Sequence, residues 1–206
     1  MALIHMATLT PTKLELMTAW APGRPWFTGT SELRQVGAYR FDDPAGQVGL
    51  EGILLATTDG SVLHIPMTYR AAPLAGAQQL LIGTIEHSVL GRRWVYDACG
   101  DPVWAAALAT TMLTGSSQAE EIVDHGDHFV PREPTVKVFG SGTPDRPVPA
   151  IESVTCWDEG QTTAVKAGDL ELVVVRVVGA DLQATQTLTG RWSEGEPSVL
   201  AGLRSE

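Results

Sequence analysis

Between Leu80 and Gly115 the chain spells out a loop, a strand and a helix with both helix ends marked, and no other stretch limits the fold so tightly. Leu80, Leu81 and Ile82 lead into the polar pair Glu86-His87, and Gly91 turns the chain into Arg92-Arg93-Trp94-Val95-Tyr96, an aromatic strand. Asp101-Pro102 reads as an N-cap with proline at the first helical position, where its missing N–H is not needed. The helix predicted over 103–114 buries Ala107, Leu108, Thr111 and Met112, and Gly115 stands where a left-handed residue closes a helix.

Strand signals surround this unit. Leu3 to Leu9 predicts a first strand. Thr10-Pro11 then opens a helix with Leu14, Met17 and Trp20 at helical spacing, ended by Ala21-Pro22-Gly23. Leu33 to Phe41 and Val48 to Thr57 predict two strands, and Asp59-Gly60 is a tight-hairpin signal into Ser61 to Arg70. Leu63, Ile65, Met67 and Tyr69 share one face of that strand. Pro66 has no N–H to give to a ladder, which predicts an edge strand or a bulge. The acidic stretch from Gly115 to Pro134 reads as a linker. Beyond it the pattern turns to strands over 135–139, 150–157, 162–167, 170–178 and 182–192, with a short helix over 197–203. The expectation is an α+β fold: an antiparallel meander with packed helices over residues 1–128, and a smaller β-rich unit over 129–206.

Composition narrows the partners. The net charge of −10 is divided as −6 over residues 1–128 and −4 over the rest, and neither part holds a basic patch. That argues against nucleic acid and against an anionic membrane surface. Apolar runs are far shorter than the roughly 20 residues that span a bilayer. The start MALIHMATLT lacks the basic end and apolar core of a signal peptide. Cys99 and Cys156 lie apart without metal-ligand spacing, which predicts free thiols in a reducing, cytoplasmic setting.

Three blocks carry a resemblance: Pro11 to Gly29 (PTKLELMTAWAPGRPWFTG), His64 to Leu74 (HIPMTYRAAPL) and Ile82 to Trp104 (IGTIEHSVLGRRWVYDACGDPVW). In order and spacing they resemble the N-terminal cap domain of bacterial maltokinases. The resemblance implies a cystatin-like cap, with a protein partner in trehalose, maltose or α-glucan metabolism. In that family a kinase follows the cap. Here Thr162 to Val178 resembles the nucleotide-lobe hairpin of such a kinase, but Leu172 to Val175 is apolar where the family's lysine holds the ATP phosphates. With no glycine-rich loop before it, this part resembles a degenerate kinase N-lobe. The chain is also too short for a branching enzyme, whose barrel alone takes about 250 residues.

Candidate chemistry is sparse. His-Gly-Asp at 125–127 has neither the position nor the context of a kinase catalytic loop. Asp124, His125, Asp127 and His128 lack the further donors that a metal shell needs. No Gly-x-Ser-x-Gly elbow occurs. What remains is the polar cluster Glu86, His87, Arg92, Arg93, Asp97 and Asp101, with Trp26, Tyr69, Trp94 and Tyr96 as aromatic lining. Two readings stand for it. One is a buried framework with arginines paired to carboxylates; the other is a pocket or docking face for sugar or protein. No catalytic residue, cofactor or metal is expected. The chain reads as a non-catalytic accessory module, with a small carbohydrate-binding protein or enzyme as the alternative, and is compatible with a homo-oligomer.

Overall fold

A computed structural model describes residues 1–29, 32–193 and 195–204; residues 30, 31, 194, 205 and 206 of the two expected units lie outside it. In chain order the elements are β1 (Ala2–His5), β2 (Leu9–Thr10), α1 (Lys13–Trp20), β3 (Leu33–Phe41), β4 (Gly49–Thr57), β5 (Val62–Arg70), β6 (Leu81–His87) and β7 (Gly91–Asp97). There follow α2 (Pro102–Thr114), β8 (Glu121–Asp124), β9 (Phe129–Arg132), β10 (Val136–Gly140), β11 (Thr155–Glu159), β12 (Thr162–Ala167), β13 (Leu170–Val175), β14 (Gln186–Trp192) and β15 (Ser198–Leu203). The described residues are mostly β, with two short helices. Among the described residues no helix is long and apolar enough to cross a membrane.

The strands form three sheets. The first has the order β2-β6-β7-β5-β4-β3, the second β10-β14-β15-β13-β12-β11, and a small third β1-β8-β9. Both large sheets are antiparallel throughout; β1 and β8 run parallel. Alternation along the first sheet sorts its side chains into two cores. On one face Ile53, Leu55, Ile65 and Met67 pack with Met17 and Ala21 at α1. On the other, Tyr39, Phe41, Leu50 and Leu54 pack with Trp104, Leu108 and Met112 of α2. That second core continues into Val138, Leu172, Val174 and Leu188 of the second large sheet, so α2 lies between the sheets. Gly52 is required here: it sits opposite Tyr39 in register, and the ring occupies the place a Cβ would take.

The helix ends follow from sequence. Thr12 and Glu15 form a reciprocal capping box at α1, with Glu15 N–H to Thr12 Oγ1 at 3.2 Å and Thr12 N–H to Glu15 Oε2 at 2.7 Å. Asp101 caps α2 by accepting from the Val103 N–H, Pro102 takes the first turn, and Gly115 is left-handed at φ 69°. The last carbonyls of α2 are satisfied by the second half of the chain: Gly142 N–H donates to Met112 O at 2.9 Å and Thr143 N–H to Leu113 O at 3.1 Å.

Four expectations are corrected. The acidic linker contains β8 and β9, which join β1 in the third sheet; the expected 128/129 boundary falls at the turn between them. Residues 198–203 are strand β15, because Leu200, Ala201 and Leu203 fill the core beside β13 and β14. The predicted first strand is two short ones, β1 and β2, in different sheets. Pro66 lies on an interior strand, since β5 has β4 on one side and, on the other, a neighbour that changes at the proline. His64 N–H donates to Arg176 O and Val178 N–H to Val62 O, both at 2.8 Å, and the β7 ladder takes over from Met67. The missing N–H falls in that gap.

Candidate functional site

Burying a carboxylate is costly unless donors surround it. Glu51 on β4 is only 4% exposed, and three donors meet it: Lys13 Nζ at 2.6 Å, Tyr69 Oη at 2.6 Å and Arg40 Nη2 at 3.4 Å. The elements dictate this meeting. Arg40 is opposite Glu51 in the β3–β4 register, Tyr69 comes from β5, and Lys13 opens α1 across the same face. Burial works to raise the Glu51 pKa, yet the charges of Arg40 and Lys13 and the two hydrogen bonds hold it at about 2. Burial drags Lys13 downward against the pull of Glu51. Both pKa values thus fall, which favours the charge on Glu51 and opposes it on Lys13. The 2.6 Å contact decides, since a charge-assisted bond of that length keeps both groups ionised.

Lys13, Arg40 and Tyr69 of this cluster form part of the wall of a cavity of about 520 Å³ between the third sheet and the first large one. Other wall residues are His5, Phe41, His87 and Arg93. The His5 and His87 rings meet edge to face at 6.0 Å, and His5 Nδ1 lies 3.3 Å from Asp124 Oδ2. His87 Nδ1 accepts from the N–H groups of Val89 and Leu90 at 3.2 and 3.1 Å, so the neutral ring carries its proton on Nε2. Partial burial lowers the His87 pKa, helped by the nearby His5, Arg93 and Lys13.

The polar cluster expected from sequence divides into three. Glu86 and Arg92 form a cross-strand ion pair at 2.6 Å on the outside, 56% and 60% exposed. His87 and Arg93 line the cavity. Arg93 is half-buried and makes only a 3.4 Å bond to the Arg92 carbonyl, with no carboxylate partner among the described residues. The expected pairing of that arginine is therefore corrected. Register explains it: the neighbour opposite Arg93 on β6 is Ile85, while Glu86 faces Arg92.

Asp97 and Asp101 are both buried, at different places. Asp97 accepts from Arg176 Nη2 at 2.5 Å and Asp101 takes a two-pronged contact from Arg70, both bonds 2.7 Å. Of the expected aromatic lining, Tyr69 alone borders the cavity. Trp26 is buried under the Arg176 guanidinium at 5.2 Å, Tyr96 Oη accepts from the Leu74 N–H at 3.0 Å, and Trp94 is half-buried on β7. His125 and His128 stack at 4.8 Å by the β8–β9 turn, and no metal-binding group of three or more ligands occurs among the described residues. Burial raises the Cys156 thiol to about 11 and Cys99 well above its usual range, which makes both poor nucleophiles.

Sequence reading passed over Lys13, Arg40, Glu51 and His5. One signal was present: Glu51 shares its strand face with Ile53 and Leu55, and a carboxylate on an apolar face needs a cationic partner.

Residues 20–101, about two-fifths of the chain, match the family model of the maltokinase N-terminal cap domain. The match spans β3 to β7. No curated protein matches the chain.

Proposed function

We propose that this chain, whose residues 20–101 form a maltokinase cap-like domain, is a non-catalytic accessory or regulatory module of maltose, trehalose or α-glucan metabolism. One observation carries the reading. Leu172, Val173, Val174 and Val175 on β13 are all fully buried, at the place where the resemblance implies a phosphate-holding lysine. β13 is flanked by β12 and β15, so its backbone is committed to ladders on both sides. Phosphate binding needs a cation or free backbone donors. A strand in this condition supports a lobe that serves as packing for α2. On this reading the first large sheet with α1 is the cystatin-like cap, and the second is a degenerate kinase N-lobe.

The role left to the module is contact with another protein of the same metabolism. Two measurements test it together. Calorimetry with Mg-ATP is expected to show no micromolar binding, and incubation with maltose and Mg-ATP no maltose phosphate. A pull-down from native lysate is expected to retain an enzyme acting on α-glucan, maltose or trehalose. A micromolar Kd for ATP, or phosphorylated maltose, would overturn the reading.

A further inference from the structure

The cavity beside Glu51 has more cationic groups in its wall than its carboxylates satisfy. Glu51 is shared by Lys13 and Arg40, and Arg93 has no carboxylate partner among the described residues. The Arg40 Nε–H is buried without a partner among the described residues, an unfavourable state for any buried donor. The two acidic wall residues at the β3–β4 turn are already engaged. Asp43 accepts from the N–H groups of Ala45, Gln47 and Val48 at 2.9–3.0 Å, and Asp42 holds the chain's amino terminus at 2.6 Å. In a chain of net charge −10, a concave site with surplus cations stands out from the rest of the molecule.

Size and lining refine the ligand class. At about 520 Å³ the space lies in the range of small-molecule sites and well above what one inorganic anion fills. Beside the cations, the Tyr69 ring and the His5 and His87 imidazoles offer apolar faces and hydrogen-bonding edges. Guanidinium and ammonium groups in the wall suit a phosphate, and an aromatic ring with imidazole edges suits a hydroxylated ring.

We propose that this cavity binds a small phosphate monoester of a hydroxylated compound such as a sugar, its phosphate on Arg93, Arg40 and Lys13. The inference concerns the ligand of the cavity and does not depend on the accessory role, since a catalytic chain would hold the ester in the same way.

The test is calorimetry on the whole chain with three probes at low salt: glucose 6-phosphate, inorganic phosphate and glucose. Glucose 6-phosphate is expected to bind with Kd below about 1 mM, phosphate at least several-fold more weakly, and glucose not measurably at about 10 mM. Arg93→Gln is expected to keep the parental melting temperature and weaken glucose 6-phosphate about tenfold or more, the loss of one charged hydrogen bond. Arg40→Lys, which keeps the charge facing Glu51 but removes Nε, is expected to weaken it as well. Absence of binding by both phosphate probes, glucose binding as well as its phosphate, or unchanged affinity in a folded Arg93→Gln protein would each overturn the proposal.

Discussion

At the scale of single residues, the groups that titrate out of their ordinary range are those the strands bury. His64 on β5 is fully buried, with Nε2 3.0 Å from Tyr39 Oη and Nδ1 3.1 Å from Val175 O. The carbonyl can only accept, so Nδ1 donates to it and the neutral ring accepts a hydrogen bond from the Tyr39 hydroxyl at Nε2. Burial, aided by the Arg176 charge, lowers the His64 pKa to about 3. The folded pKa lies below the ordinary 6.5, so below pH 6.5 the unfolded chain takes up a proton that the folded chain refuses. This part of the stability is complete above pH 6.5 and declines by up to about 1.4 kcal/mol per unit as pH falls from there towards 3. Glu51 adds a decline of the same sense only from about pH 4.5 down to 2. Urea midpoints of the parent should therefore fall between pH 6.5 and 5, and His64→Gln should lose most of that slope. Equal slopes in the two proteins would refute the assignment. None of this was legible in sequence, where His64 is an isolated histidine on an alternating strand. Its partners come from β3 and from the end of β13, far away along the chain.

At the scale of elements, legibility followed how local the cause was. The α2 ends were readable because Asp101, Pro102 and Gly115 act on their own neighbours. The α1 start was displaced by two residues because the capping box of Thr12 and Glu15 decides it, while Thr10-Pro11 merely precedes it. Strand β15 was misread because a short apolar segment has no periodicity that separates strand from helix, and only its slot between β13 and β14 settles the matter. Arg93 was misassigned for a related reason. Neighbours in sequence on a strand point to opposite faces, so Arg92 and Arg93 part ways, one to an exposed pair and the other to the cavity. Asp101 joins both kinds of cause. It caps α2 through the Val103 N–H, a local act, and receives Arg70 from β5, a tertiary one. Asp101→Ala removes the cap, worth about 1 kcal/mol, and strips Arg70 of its two-pronged partner. Since Arg70 remains 20% exposed and water can reach it, the total should be about 3 kcal/mol rather than the larger cost of a fully buried charge. The expected fall in Tm is roughly 6–12 °C. Asp101→Asn, which keeps the cap, should recover about a third of the loss. A fall under about 2 °C for Asp101→Ala would mean that α2 is held by its packing alone.

At the scale of the whole molecule, the two large sheets are joined by more than a chain crossing. The core around α2 draws on both, with Tyr39 and Leu54 from one and Leu172 and Leu188 from the other. The loop after β10 closes the carbonyl end of α2, and β5 pairs with residues 176–178 through an isolated bridge at Leu63 and Val177. Arg176 pins this seam. It is fully buried, bonded to Asp97 at 2.5 Å, to Thr163 Oγ1 at 2.8 Å and to Cys99 Sγ at 3.1 Å, and stacked over Trp26. Removing one member of a buried ion pair costs about 3–5 kcal/mol, since the other charge stays desolvated. Because Arg176 directly follows β13 of the second large sheet and Asp97 ends β7 of the first, Arg176→Ala tests whether those sheets share one folding equilibrium. With a shared core, tryptophan fluorescence and far-ultraviolet circular dichroism should report one coincident urea transition in the parent. The variant should move that transition to lower urea as a whole, by about 3–5 kcal/mol divided by the slope, with the slope unchanged. Two transitions, with only one displaced by Arg176→Ala, would show instead that the halves fold separately and that the seam is a docked interface.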